Sequence, residues 1–373
     1  MPLARQRDRR CLLYVGDISP NTTSLARAQA LEALGLDVLL FDASNVCHHT
    51  MRLLHLLGHR VYFTPEVFGR NRLLYKCVLE ERPALVWIDK GRWIFPRTLL
   101  RIRKLGSKLV HYNTDDIYGK EQYLWLHRIG LRHYDFILTT NRHNVKEITS
   151  RYGLKVCRAG MGYDDQHYLR PSAATIADDS VDVVFVGHRE QHTEDFLLGL
   201  MSAGLKVVVY GHEWKWSRNP ALRKTQPIPQ SEYCRTIASA KLALCVLSRR
   251  NRNESTGRSF EIPAIGGCLL AEDTPEHRYL FNAGPGAFFF SGTEDLIAKS
   301  RVLVLDGRLR RQVAEAGHRR CMELGLSWRD HIRREWLISE RLLYSGVFAL
   351  DKQQDLPFWA GFRRGEAYQQ SLL

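Results

Sequence analysis

Two short stretches carry the residue types that could do chemistry. The first is N-E-S-T-G-R-S-F-E, Asn253 to Glu261. Ser255 and Thr256 are favoured helix N-cap residues, and Gly257 lets a ligand approach the backbone closely. A helix starting there presents free N–H groups and the positive end of its dipole to an anion. Arg258 adds a guanidinium able to fork onto phosphate. Glu261 follows about one turn later on the same side, where a carboxylate can accept hydrogen bonds from a ribose-like diol. The plainer reading is a capped helix with Glu261 solvated or paired to Arg258. The second stretch is Asp115-Asp116, in the loop N-T-D-D-I-Y-G after a strand. Carboxylates at a strand's carboxyl end can serve as a general base or clamp hydroxyl groups. The plainer reading there is a turn cap with two solvated carboxylates.

The elements that must position these groups follow from apolar patterning. Leu242 to Leu247 reads as a buried parallel strand, Ser248 to Asn253 as a polar loop, and Cys268 to Glu272 as the next strand. Pro263 is expected only in a first turn, so it argues against one simple helix between them. Upstream, Asp182 to Gly187 and Lys206 to Gly211 both read as strands ending in glycine. His188 and Arg189 follow the first of them; Arg189 can face a phosphate or stand as an exposed loop charge. The amino-terminal half opens with a strand at Cys11 to Val15, then Gly16 and Asp17, a helix from Ser24 to Leu34, and a strand at Asp37 to Phe41. That is a β-α-β unit lacking G-x-G-x-x-G, which disfavours a dinucleotide dehydrogenase. Further strands are expected at Ala84–Ile88, Lys108–Tyr112 and Tyr134–Thr139. His48 and His49 open a helical pattern reaching Leu57, and their adjacency points them apart, against a metal pair. Two β-α-β starts about 170 residues apart predict an α/β chain of two Rossmann-like domains with parallel sheets. The boundaries expected are 1–171, 172–345 and a tail at 346–373, with linker composition over Pro171–Asp179.

Composition bounds the partners. The 373 residues carry a net charge of +14, which suits an anionic partner such as nucleotide phosphate or a phospholipid surface. The basic residues are scattered and not interleaved with aromatics, so nucleic acid is disfavoured. Eight cysteines without a C-x-x-C pair read as buried reduced thiols in a cytoplasmic protein, not as a zinc site. No stretch approaches the ~18 apolar residues of a membrane helix, so any membrane contact is expected to be peripheral, at the inner face.

The run R-S-F-E-I-P-A-I-G-G-C-L-L-A-E-D-T-P-E, followed by Leu280-Phe281, resembles the carboxy-terminal half of GT-B glycosyltransferases. It is most similar to the group related to the spore-maturation protein CgeB. The strand-D-K-G and later D-D pattern of the first half, at Asp89–Gly91 and Asp115-Asp116, is similar to that group as well. The resemblance implies two domains facing a central cleft, and sugar transfer from a nucleotide-sugar donor to a carbohydrate or lipid-linked acceptor, without a metal or other cofactor. It implies that Glu261 binds the ribose and that Ser255, Thr256, Gly257 and Arg258 bind the diphosphate. It places Arg189 and His188 beside the donor and Asp17, Asp115 and Asp116 on the acceptor side. Many relatives carry a glutamate eight residues before the one matching Glu261, where this chain has Asn253. A sugar-nucleotide epimerase of the same fold and a non-catalytic binding protein are the alternatives.

Overall fold

The computed structural model describes residues 11–44, 64–119, 125–172, 181–281, 286–341 and 343. The helical pattern opened by His48 and His49, most of the expected linker and the tail lie outside them. Two compact units emerge, Met1–Gly160 with Arg250–Arg252 and Trp328–Leu373, and Met161–Arg249 with Asn253–Ser327. The boundaries expected from sequence are 171/172 and 345/346; packing divides the described residues after Gly160, and the helix Trp328–Glu340 groups with the first unit.

In the first unit the strands are β1 (Cys11–Gly16), β2 (Asp37–Asp42), β3 (Leu85–Asp89), β4 (Lys108–Asn113), β5 (Phe136–Thr139) and β6 (Val156–Arg158). All pair in parallel, in the order β2-β1-β3-β4-β5-β6. Helices α1 (Thr23–Glu32), α2 (Pro65–Glu81), α3 (Pro96–Lys104), α4 (Trp125–Gly130) and α5 (Arg142–Tyr152) lie in the connections. The central strands are apolar runs because helices cover both faces. Val15, Val86, Ile88, Leu99, Ile102 and Ile137 share one buried cluster. Gly16 is obligatory at the end of β1, since a Cβ there would stand 2.4 Å from Ser24 Oγ.

In the second unit β7 (Val183–Val186), β8 (Val207–Tyr210), β9 (Leu242–Cys245), β10 (Leu269–Glu272) and β11 (Phe288–Phe290) pair in parallel as β11-β10-β9-β7-β8. Here α6 (Gln191–Ser202), α7 (Gln230–Ser239), α8 (Gly257–Ile265), α9 (Pro275–Phe281), α10 (Thr293–Leu305) and α11 (Gly307–Glu323) supply the layers. The last helix, α12 (Trp328–Glu340), belongs to the first unit and brings Trp328 to Arg27 of α1. Both sheets reverse their winding direction once, between β1 and β3 and between β7 and β9. In such sheets ligands bind beyond the carboxyl ends of the strands at that reversal.

One expectation is corrected. α8 runs through Pro263. The helix ends at Gly266 (φ 86°), so proline removes one N–H in a final turn that is closed by other means. The Gly267 N–H donates to the Ile262 carbonyl at 2.9 Å, and His318 Nδ1 lies 2.9 Å from the Ala264 carbonyl.

Candidate functional site

In the second unit, the loop after β9 leads directly into α8, as the spacing of its residues requires. Thr256 is the N-cap, and its N–H donates to Ser259 Oγ at 3.0 Å. Ser259 Oγ also lies 2.7 Å from His277 Nε2, while His277 Nδ1 lies 2.7 Å from the Glu272 carbonyl. A carbonyl can only accept, so Nδ1 carries the proton and Nε2 accepts from the Ser259 hydroxyl. This serine–histidine pair is wholly buried and spent on holding the helix start, which rules out a nucleophile reading. The Gly257 and Arg258 N–H groups, at the first two helical positions, have no acceptor within the helix. Ser255 is buried just before them.

Beneath Gly257 lies the Glu261 carboxylate; a Cβ on Gly257 would stand 2.8 Å from its Oε1. Glu261 Oε2 accepts the Tyr233 hydroxyl at 2.7 Å. Tyr168 packs edge-on against Tyr233, with ring centroids 5.3 Å apart. Burial and the Glu261 charge push the Tyr233 hydroxyl well above its ordinary range, so it is a hydrogen-bond donor throughout. Burial opposes the charge on Arg258, but Glu261, Tyr233 and Tyr168 outweigh it and raise its pKa. Arg258 Nε is buried and has no hydrogen-bond partner among the described residues. Such an orphan costs about 1–3 kcal/mol unless a ligand satisfies it.

Arg189 and His188 follow β7. Arg189 Nε donates to Glu194 Oε2 at 2.8 Å. Glu194 is fully buried and also receives the Ser217 hydroxyl and the Arg218 N–H, at 2.7 and 2.6 Å. Arg189 is thus anchored by one face of its guanidinium. His188 is exposed and its ring stacks on His212 at 5.4 Å. The two strand-ending glycines meet here, because a Cβ on Gly211 would lie 1.9 Å from the Gly187 carbonyl oxygen. Glu190 and Glu272 hold the loop after β9: the Arg249 N–H donates to Glu190 and the Leu247 N–H to Glu272, at 3.0 and 2.6 Å.

The first unit places three carboxylates beyond its strands. Asp17 is exposed after β1, where its Oδ1 accepts the Ser19 N–H at 3.0 Å. Asp115 stands between Lys90 Nζ at 3.5 Å and Arg92 Nη2 at 2.5 Å. Burial works against its charge, but those two cations hold its carboxyl below the usual range. Lys90 takes a left-handed backbone (φ 61°), uncommon for a residue with a side chain. Asp116 is fully buried, and its oxygens are gripped by Arg252 Nε and Nη2 at 2.5 and 2.8 Å. Its pKa is lowered too: burial opposes, and the Arg252 and Tyr118 hydrogen bonds prevail. Arg252 also binds Glu147. Sequence reading missed Tyr233, Tyr168 and Arg252, whose partners lie far away in the chain, and Glu194, which joins Arg189 five residues before it to Ser217 and Arg218. No cluster of three or more potential metal ligands occurs among the described residues.

Residues 189–334 match the model of a family described as glycosyl transferase-like, so this stretch carries a glycosyltransferase-like domain. It includes α8 with Arg258 and Glu261, and Tyr233, while Tyr168 precedes it. No curated protein matches the chain in sequence. Among solved structures, the chain is similar to a glycosyltransferase from Rickettsia africae, with a TM-score of 0.61 and 11% identity over 91% of this chain and 100% of that one. It is also similar to sucrose-phosphate synthase from Thermosynechococcus elongatus, with a TM-score of 0.62 and 11% identity over 90% and 100%. Anabaena Alr3699/HepE, solved in complex with UDP and glucose, gives 0.59 and 11% over 88% and 100%. The α/β architecture with two parallel sheets matches that of these GT-B glycosyltransferases.

Proposed function

We propose that this chain is a glycosyltransferase that takes its sugar from a nucleoside-diphosphate sugar. The observation that carries this is the unsatisfied, buried Arg258 Nε beside a Glu261 carboxylate held by Tyr233, at the start of α8. That stretch lies inside the glycosyl transferase-like match, and the Anabaena neighbour was solved with UDP and glucose.

In this reading the Gly257 and Arg258 N–H groups, presented by the Ser255-Thr256 cap, and the Arg258 guanidinium take the diphosphate. They stabilise charge where it develops as the sugar leaves. Glu261, its second oxygen fixed by Tyr233, accepts from the ribose hydroxyls. Arg189, anchored on Glu194, adds a cation, and exposed His188 faces the sugar. The first unit supplies the acceptor side. Asp115, charged at neutral pH and flanked by Lys90 and Arg92, orients an acceptor hydroxyl and is a weak base. Asp116 is a positioning residue, held shut by Arg252, and Asp17 has the exposure a proton acceptor needs. The acceptor is a carbohydrate or lipid-linked hydroxyl, in the manner of CgeB-like proteins, and the chemistry needs no metal.

The test is thermal stabilisation by UDP, ADP, GDP and their glucose conjugates, for wild type and Glu261→Ala. Ligand at 100 times its Kd adds roughly 2.7 kcal/mol to the state that binds it. A rise with one diphosphate that disappears in Glu261→Ala is expected. No rise with any nucleotide overturns the reading. Conversion of the nucleotide sugar to an isomer without any acceptor would assign an epimerase instead.

A further inference from the structure

The second unit has a cavity beside the carboxyl end of α8, away from the α8 start that carries Arg258 and Glu261. It lies at the amino ends of the strands: Lys241 precedes β9 and Cys268 precedes β10, whereas the α8 start and Glu272 lie beyond the carboxyl ends. Its volume is about 890 Å³, within the range of small-ligand sites. Among the described residues five cations line it, Arg170, Lys241, Arg310, Arg311 and Arg319, with one carboxylate, Glu315.

The cations are not equivalent. Arg170 lies across the bare α-carbon of Gly266 and is fixed by Glu315 at 2.7 Å. Lys241 is paired with Asp182 at 2.8 Å. Arg310 donates from Nη1 to the Leu303 and Val304 carbonyls at the end of α10, at 2.8 and 2.6 Å. These three are rigid walls. Arg311 and Arg319 stand on the exposed face of α11, and neither is hydrogen-bonded to a carboxylate among the described residues. Gly266, Gly267, Ala238 and Ala240 leave space between the walls, and Leu309 and Val313 add an apolar patch. Among the described residues no lining residue is aromatic, so none offers a nucleobase a ring to stack on.

We infer that this cavity is a second anion site, which takes a phosphate group carried on a small or amphiphilic body. The exposed Arg311 and Arg319 guanidinium groups can fork onto phosphate oxygens. A lipid headgroup and a soluble polyphosphate share that chemistry. The site is independent of the nucleotide reading, since no residue is common to both.

The experiment compares wild type, the Arg311→Glu/Arg319→Glu variant and a charge-matched control, Arg97→Glu/Arg132→Glu, altered at exposed positions of the first unit. Each is titrated calorimetrically with inorganic tripolyphosphate at fixed ionic strength. Each is also sedimented with phosphatidylglycerol–phosphatidylcholine vesicles and with pure phosphatidylcholine vesicles. Wild type should bind tripolyphosphate, the anionic vesicles or both, and pure phosphatidylcholine vesicles not at all. Losing two cations should weaken that binding roughly tenfold or more, while the control changes it less than about twofold. Binding of tripolyphosphate alone identifies a soluble ligand, and binding of anionic vesicles alone a headgroup. Absence of both, equal weakening in the control, or full binding by the Arg311→Glu/Arg319→Glu variant overturns the site.

Discussion

Each unit buries an arginine, a carboxylate and a tyrosine together, and the two trios differ in what they leave open. In the first unit Asp89 Oδ2 accepts the Tyr14 hydroxyl at 2.6 Å and Arg27 Nε and Nη2 at 2.8 and 2.6 Å. The Arg27 guanidinium sits 4.9 and 4.6 Å from the ring centroids of Tyr112 and Trp328. Both charged side chains are 1% exposed. In the second unit Glu261 receives Tyr233 alone among the described residues, and Arg258 is partly exposed with an unsatisfied Nε. The first trio also leaves Arg27 Nη1 and Asp89 Oδ1 without a partner among the described residues, but both residues are buried, and the trio joins α1 and α12 to the sheet. The second keeps hydrogen-bonding capacity that water or a ligand can reach. The same three kinds of side chain thus serve cohesion where they are sealed and keep polar atoms accessible where they are not.

The contrast can be broken by substitution. The largest effect is expected from Asp89→Ala, which leaves the Arg27 charge buried without its partner. A loss of about 3–5 kcal/mol in the unfolding free energy of the first unit should follow, read by denaturant titration. Should Asp89→Ala cost less than about 1 kcal/mol, the first trio is not the stabilising cluster described here.

Acid should separate the units next. His111 and His127 are buried with their Nε2 atoms 2.8 Å apart. Burial lowers the His111 pKa to about 4, despite Asp89 nearby, and takes His127 well below its ordinary value. The folded state therefore binds fewer protons than the unfolded chain between about pH 4 and 6.5. Stability is present above about 6.5 and lost as pH falls towards 4, by up to about 3 kcal/mol for His111. Hydrogen-exchange protection in the first unit, corrected for the intrinsic rate at each pH, should fall as pH drops across that window, and constant protection would contradict the buried neutral pair. Smallest is Tyr233→Phe, which removes one hydrogen bond to Glu261. It should cost about 1–2 kcal/mol, with nucleotide stabilisation reduced but present. If it abolishes nucleotide binding as Glu261→Ala is expected to, the tyrosine touches the ligand itself.

Sequence determined the elements and the local part of the site. Apolar runs marked β1, β3, β4, β7, β9 and β10 within a residue or two, because burial on both faces demands uninterrupted apolar side chains. The spacing of Thr256, Arg258 and Glu261 fixed their shared end of α8, because one helical turn sets which side chains are neighbours. Only tertiary structure decided which charges are sealed. Arg27 reads in sequence as an ordinary helix charge, yet strand order carries it onto Asp89, 62 positions away. Asp115 and Asp116 look alike as neighbours, but alternation turns one towards Lys90 and Arg92 and the other into Arg252. Tyr233 reaches Glu261 across 28 positions. Backbone periodicity is a local property, whereas the pairing of polar groups depends on which strands the fold makes adjacent.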